Sequence, residues 1–168
     1  MTLLLRNLQK SVDFNFKKMR TDIMTLRRIL RIERYDVAVI CMDDNQVKEL
    51  NRLYRGHDTS TDVLSFPAHE NLAPGRLPDP WSDMADLGDV FLGMSYIQRK
   101  CEEQKGDMDV LIPVTVIHGF CHLIGYKHET DAQWKQMYKR ELQIIKEFNK
   151  VTGEELVKGP LTSKPPDH

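Results

Sequence analysis

The run YDVAVICM at 35–42 is apolar almost throughout and rich in β-branched side chains, which predicts a buried strand. TLLLRNLQ at 2–9, TDVLSF at 61–66 and GDVFLGM at 88–94 predict three more, the second of these stopping at Pro67. Between the strands the apolar period lengthens to that of a helix. FNFKKMRTDIMTLRRILRI (14–32) reads as a basic amphipathic helix, and DNQVKELNRLYR (44–55) sets Val47, Leu50 and Tyr54 at helical spacing behind Asp44 as N-cap. SYIQRKCEEQ (95–104) is a third helix. DVLIPVTVIHGFCHLIG (109–125) is a fourth, more apolar and ending at a glycine; Pro113 fits it if the helix begins near Leu111, where the missing N–H costs nothing. DAQWKQMYKRELQIIKEFNK (131–150) is a fifth, with Trp134, Met137, Leu142, Ile145 and Phe148 available to a core. Strands interleaved with helices in this way predict a mixed sheet.

Two stretches fall outside the periodic pattern. PAHENLAPGRLPDPWSDMADL (67–87), with four prolines and four acids, is a loop longer than compact domains commonly carry, so it reads as a mobile lid or an insertion, with the lid preferred. Residues 151–168, ending TSKPPDH, read as a loose tail on a domain spanning 1–150.

The 168 residues suit one domain with a cleft. A net charge of −1 conceals an uneven distribution: Lys and Arg outnumber Asp and Glu 12 to 8 over 1–60, are outnumbered 5 to 12 over 61–131, and lead 7 to 5 over 132–168. A general nucleic-acid coat is therefore excluded, any RNA contact must be a local patch, and the acidic middle suits a metal. Cys41, Cys101 and Cys121 have no CxxC spacing and cannot all pair, which fits a reducing compartment. No apolar run is long enough to cross a bilayer. Residues 1–34 hold nine basic and three acidic residues, a bias that mitochondrial presequences share, although a strand and core helix of the domain itself account for it better.

The chemistry concentrates in HGFCHLIGYKH, residues 118–128. His118 and His122 stand one helical turn apart with both imidazoles on one side, and Gly125 turns the chain so that His128 can return as a third ligand. Three imidazoles favour Zn²⁺ with its fourth position open, the arrangement of a catalytic rather than a structural site; Cys121 faces elsewhere and belongs to the core. The spacing is that of metzincin proteases, in which a glutamate follows the first histidine as general base. Here Gly119 stands in that place, which disfavours peptide hydrolysis.

HGFCHLIGYKH resembles the H-G-x-x-H-L-x-G-Y-x-H signature of the YbeY family, metal-dependent endoribonucleases specific for single strands and concerned with ribosomal RNA maturation. LNRLYRGHDTSTDVLSFP (50–67) and LGDVFLG (87–93) agree with that family in order and spacing, and the resemblance covers essentially residues 1–150. It implies an α+β fold, a single domain whose four-stranded mixed sheet packs with about five or six helices around one cleft. It implies His118, His122 and His128 as ligands of one zinc ion, with His118 and Arg55 as catalytic residues, the guanidinium gripping a phosphodiester. Asp62 and Ser65 shape the turn. Many members carry aspartate before the third histidine, where this chain has Lys127, a reversal of charge beside the site. The function implied is cleavage of single-stranded RNA, with ribosomal RNA as substrate and a ribosomal protein or assembly factor as a further partner. The base is open between metal-activated water and a substrate 2′-hydroxyl. A basic track for RNA along the first helix, including Arg27 and Arg28, competes with an ordinary solvated face. The alternatives are a ribosome-assembly binding module with a non-catalytic metal and a zinc peptidase. The resemblance and the basic amino terminus point to the mitochondrion, with cytoplasm or nucleus as alternatives.

Overall fold

The most apolar runs become the middle of the sheet. In a computed structural model describing residues 2–158, β2 (Asp36–Met42) lies between β1 (Leu3–Asn7) and β4 (Asp86–Gly93), and β3 (Val63–Pro67) closes the order β1-β2-β4-β3. β1–β2 and β2–β4 are parallel and β3–β4 antiparallel, so the sheet is mixed. Val37, Val39 and Cys41 from β2 and Leu87, Val90 and Leu92 from β4 are buried, as central strands covered by neighbours require.

Five helices complete the α+β domain among the described residues: α1 (Phe16–Ile29), α2 (Asp44–Arg55), α3 (Met94–Gln104), α4 (Met108–Leu123) and α5 (Asp131–Thr152). Helix α4 packs on β3, β4, α1, α3 and α5, which explains why its sequence is apolar on nearly every side. No helix among the described residues is long and apolar enough to cross a membrane.

The structure corrects several local expectations. Asp43, not Asp44, caps α2, through a capping box with Gln46; Asp44 instead pairs with Arg99 at 2.6 Å. Asn51 joins Val47 on the buried face of α2, donating to the Thr59 carbonyl at 2.9 Å, while Tyr54 is exposed. Helix α4 begins at Met108 behind the cap Asp107, so Pro113 lies inside it. The proline leaves the Asp109 carbonyl without its helical donor, and the Lys18 ammonium approaches that oxygen at 3.5 Å. On α5, Leu142 faces solvent, and Met137, Glu141, Ile144, Ile145 and Phe148 form the buried stripe.

The long loop is pinned rather than loose. Leu77 packs on the core, the Gly75 N–H donates to the Ile124 carbonyl at 2.9 Å, the Tyr35 hydroxyl donates to the Pro78 carbonyl, and the Arg34 guanidinium sits 4.9 Å from the Trp81 ring centroid. Residues 151–158 are likewise no loose tail: α5 continues to Thr152 and Leu156 is buried. The remainder of the expected tail, 159–168, lies outside the described residues.

Candidate metal centre and cleft

His118 and His122 project from the last turns of α4, with their Nε2 atoms 3.2 Å apart. The helix then ends in a Schellman turn: the Tyr126 N–H donates to the Cys121 carbonyl at 3.0 Å and the Gly125 N–H to the His122 carbonyl at 3.2 Å. Gly125 has φ 102°, and a Cβ there would stand 2.8 Å from the Leu72 carbonyl oxygen in the long loop, so glycine is needed for conformation and for space. The turn swings His128 back until its ring lies 4.7 Å from His122 and 5.4 Å from His118, centroid to centroid. One nitrogen from each of the three histidines lies within 4.8 Å of the others.

The remaining nitrogens of the helical pair are held. His118 Nδ1 faces Glu141 Oε2 at 3.3 Å, and His122 Nδ1 faces the Tyr126 carbonyl at 3.0 Å. Both rings therefore turn Nε2 toward the shared point, the arrangement by which a carboxylate or carbonyl orients a metal-bound imidazole. Two ligands of a tetrahedral zinc, each about 2.05 Å from the ion, stand about 3.3 Å apart, close to the spacing observed here. Burial, with the neighbouring His118 and His128, drives the His122 pKa down to about 3, and burial followed by His118 lowers that of His128. Both imidazoles are thus neutral donors at pH 7, which a cation requires. Glu141 is buried, which by itself would raise its pKa, but His118 and Lys158 outweigh burial and keep it charged. His118, His122 and His128 fit a zinc ion or one of similar preference.

Gly119, between the helical ligands, points into the sheet. A Cβ there would stand 2.8 Å from Val90 Cγ1 and 3.3 Å from Ser65 Oγ. A glutamate at 119 has no room and would face β4 rather than the cluster, so packing explains the missing protease base.

Ser65 links the two halves of the site. Its hydroxyl donates to the Gly119 carbonyl at 3.3 Å, and its own carbonyl accepts from the Arg55 guanidinium at 2.9 Å. Arg55 ends α2, where Gly56 in the left-handed conformation releases the chain toward β3, and its guanidinium lies 5.7 Å from the Phe66 ring centroid. Arg55 and the three histidines line one cleft of about 550 Å³, with Lys127 exposed on its wall and His69 and Glu70 contributed by the long loop. Asp62 has a structural part, its carboxylate 2.9 Å from Lys100 and its carbonyl accepting from the Gly93 N–H. Cys121 is fully buried, as expected.

Helix α1 does not line this cleft. Arg27 is buried and donates to the Glu33 and Tyr35 carbonyls at 3.1 and 3.0 Å, so it anchors the turn after α1 and cannot belong to an RNA track; Arg28 is exposed. Sequence reasoning missed Glu141. Its signal was a carboxylate on the apolar stripe of α5, four residues after Met137 and three before Ile144.

Comparison with known proteins places the chain in a family. The model of the Endoribonuclease YbeY family matches residues 4–149. The chain belongs to this family. A human protein named Endoribonuclease YbeY is 42% identical over 163 residues, with 96% of each chain covered. A YbeY of Rhodopseudomonas palustris (strain HaA2) is 37% identical over 112 residues, which span 66% of this chain and 56% of that protein. A YbeY of Bacillus cereus (strain G9842) is 33% identical over 114 residues, or 67% and 72%. A solution structure of a Thermotoga maritima protein superimposes with a TM-score of 0.55 at 22% identity, covering 99% of this chain and 100% of that one, and supports the fold.

Proposed function

We propose that this YbeY-family chain is a metal-dependent endoribonuclease that cleaves single-stranded RNA, with one zinc ion on His118, His122 and His128 and with Arg55 holding the phosphate. The observation that carries the reading is the shared cleft: three convergent imidazoles and a guanidinium line one open groove. When bound, zinc supplies a Lewis acid for phosphoryl chemistry. Arg55 uses one N–H on the Ser65 carbonyl and has further donors to offer a phosphate while it stays anchored. Glu141 and the Tyr126 carbonyl hold the imidazoles in orientation, which spares the site reorganisation during reaction.

Ribosomal RNA is the proposed substrate, in ribosome maturation, assembly or quality control, and the mitochondrion the proposed compartment. The family membership supports the RNA substrate, and the basic, acid-poor first 34 residues support the compartment. A protease reading has no support, because the position of its base is filled by packing against Val90.

Incubation of zinc-loaded protein with single-stranded RNA, duplex RNA and casein tests this reading. Cleavage of single-stranded RNA alone is expected, lost in His118→Ala and reduced at least about 100-fold in Arg55→Ala, the scale of removing one donor from a developing oxyanion. Cleavage undiminished in both variants would rule the cleft out as the site. RNA binding without cleavage would favour the assembly module.

A further inference from the structure

The chain beyond α5 folds back and reaches the metal centre through one residue. Asn149 Nδ2 donates to the Leu156 carbonyl at 2.9 Å and its Oδ1 accepts from the Leu156 N–H at 2.8 Å, while Glu154 pairs with Lys18 at 3.1 Å. These contacts, with Leu156 buried, deliver Lys158 into the protein, where its side chain is only 2% exposed. Its ammonium lies 2.8 Å from Glu141 Oε1 and 4.4 Å from the Tyr138 ring centroid. The other oxygen of Glu141 faces His118 Nδ1.

We propose that Lys158 is a positioning residue for the metal site, acting through Glu141 on His118. A buried carboxylate held at one oxygen can rotate or withdraw, and an uncompensated charge in such a place is strongly unfavourable. With the ammonium 2.8 Å from Oε1 as an ion pair and the aromatic face of Tyr138 beside it, rotation of the carboxylate is opposed while Oε2 faces the ligand. The partner behind a metal-bound histidine sets both its ring orientation and its strength as a donor. The segment 153–158 is thereby part of the metal site, although the family match ends at residue 149. This inference rests on the three-histidine reading above.

Zinc affinity by competition with a chromophoric chelator, together with the visible spectrum of the cobalt-substituted protein, separates the possibilities. Lys158→Met and Glu141→Gln are each expected to weaken zinc binding about tenfold or more and to alter the cobalt bands. Their double variant should be little weaker than either single one, because they act in series. Lys158→Arg should restore affinity and spectrum, which a residue needed only for folding of the segment would not do to the cobalt bands. Lys150→Met, on the exposed face of α5, should change neither. If Lys158→Met does not fold, Lys158→Gln carries the same expectation. Wild-type protein that binds no zinc overturns both the three-histidine reading and this one. Wild-type binding that persists within about twofold in folded Lys158→Met or Lys158→Gln, with an unchanged cobalt spectrum, overturns this inference alone.

Discussion

A single methyl group at residue 119 is expected to be costly. Alanine normally gains about 0.5–1 kcal/mol over glycine inside a helix, but here its Cβ would press on Val90 at 2.8 Å, and overpacking of this kind costs about 1–3 kcal/mol. Urea denaturation should therefore show Gly119→Ala destabilised and Gly119→Glu more so; an alanine variant as stable as the parent would refute the packing explanation. Arg27 and Arg28 make a second comparison. Arg27→Met removes a buried guanidinium from two carbonyls and should cost about 2–3 kcal/mol, whereas Arg28→Met on the exposed face should stay within about 0.5 kcal/mol. Equal stabilities would contradict the assignment of Arg27. The histidine cluster was legible because His118 and His122 share one helical turn and need no tertiary knowledge. Glu141 was not, because only the approach of α5 to α4 turns a carboxylate on an apolar stripe into the partner of His118.

Among the elements, helix α4 and its terminal turn form the unit that brings the three histidines together. The turn does two tasks: its Tyr126 carbonyl orients His122, and its left-handed Gly125 returns His128. Gly125→Ala would bring both a strained φ and a contact of 2.8 Å with the Leu72 carbonyl, so a loss of about 2 kcal/mol or more in stability is expected, together with at least about tenfold weaker zinc binding. Calorimetry and chelator competition check the two effects separately, and intact zinc affinity would show that the turn does not set the third ligand. Elements with strong periodicity were read correctly from residues alone, as β2 and α5 show. The misread details depended on neighbours: Pro113 is accommodated inside α4 where Lys18 meets the orphaned Asp109 carbonyl, and the long loop is ordered by its contacts with Tyr35, Arg34 and the end of α4.

For the whole molecule, the sheet order is what brings distant motifs to one cleft. Arg55 at the end of α2 and the histidines at the end of α4 line one cleft because β3, an edge strand, lies beside β4 and touches Arg55 and the Gly119 carbonyl of α4 through Ser65. The mixed sheet could be inferred from alternating elements, yet the convergence of Arg55 with His118 came from family resemblance rather than from spacing; 62 intervening residues carry no local signal of contact. Lys127 faces the same groove, and Lys127→Glu should weaken RNA binding and flatten its dependence on salt, with unchanged titrations at two ionic strengths as the contrary result. The most direct measurement of the central claim is cleavage of single-stranded RNA by metal-stripped protein as zinc is returned. Activity should rise in proportion to zinc, level off at one equivalent, and be absent throughout in His118→Ala. Cleavage that is independent of added zinc, or that follows the same curve in the variant, would contradict a three-histidine metal centre as the seat of the reaction.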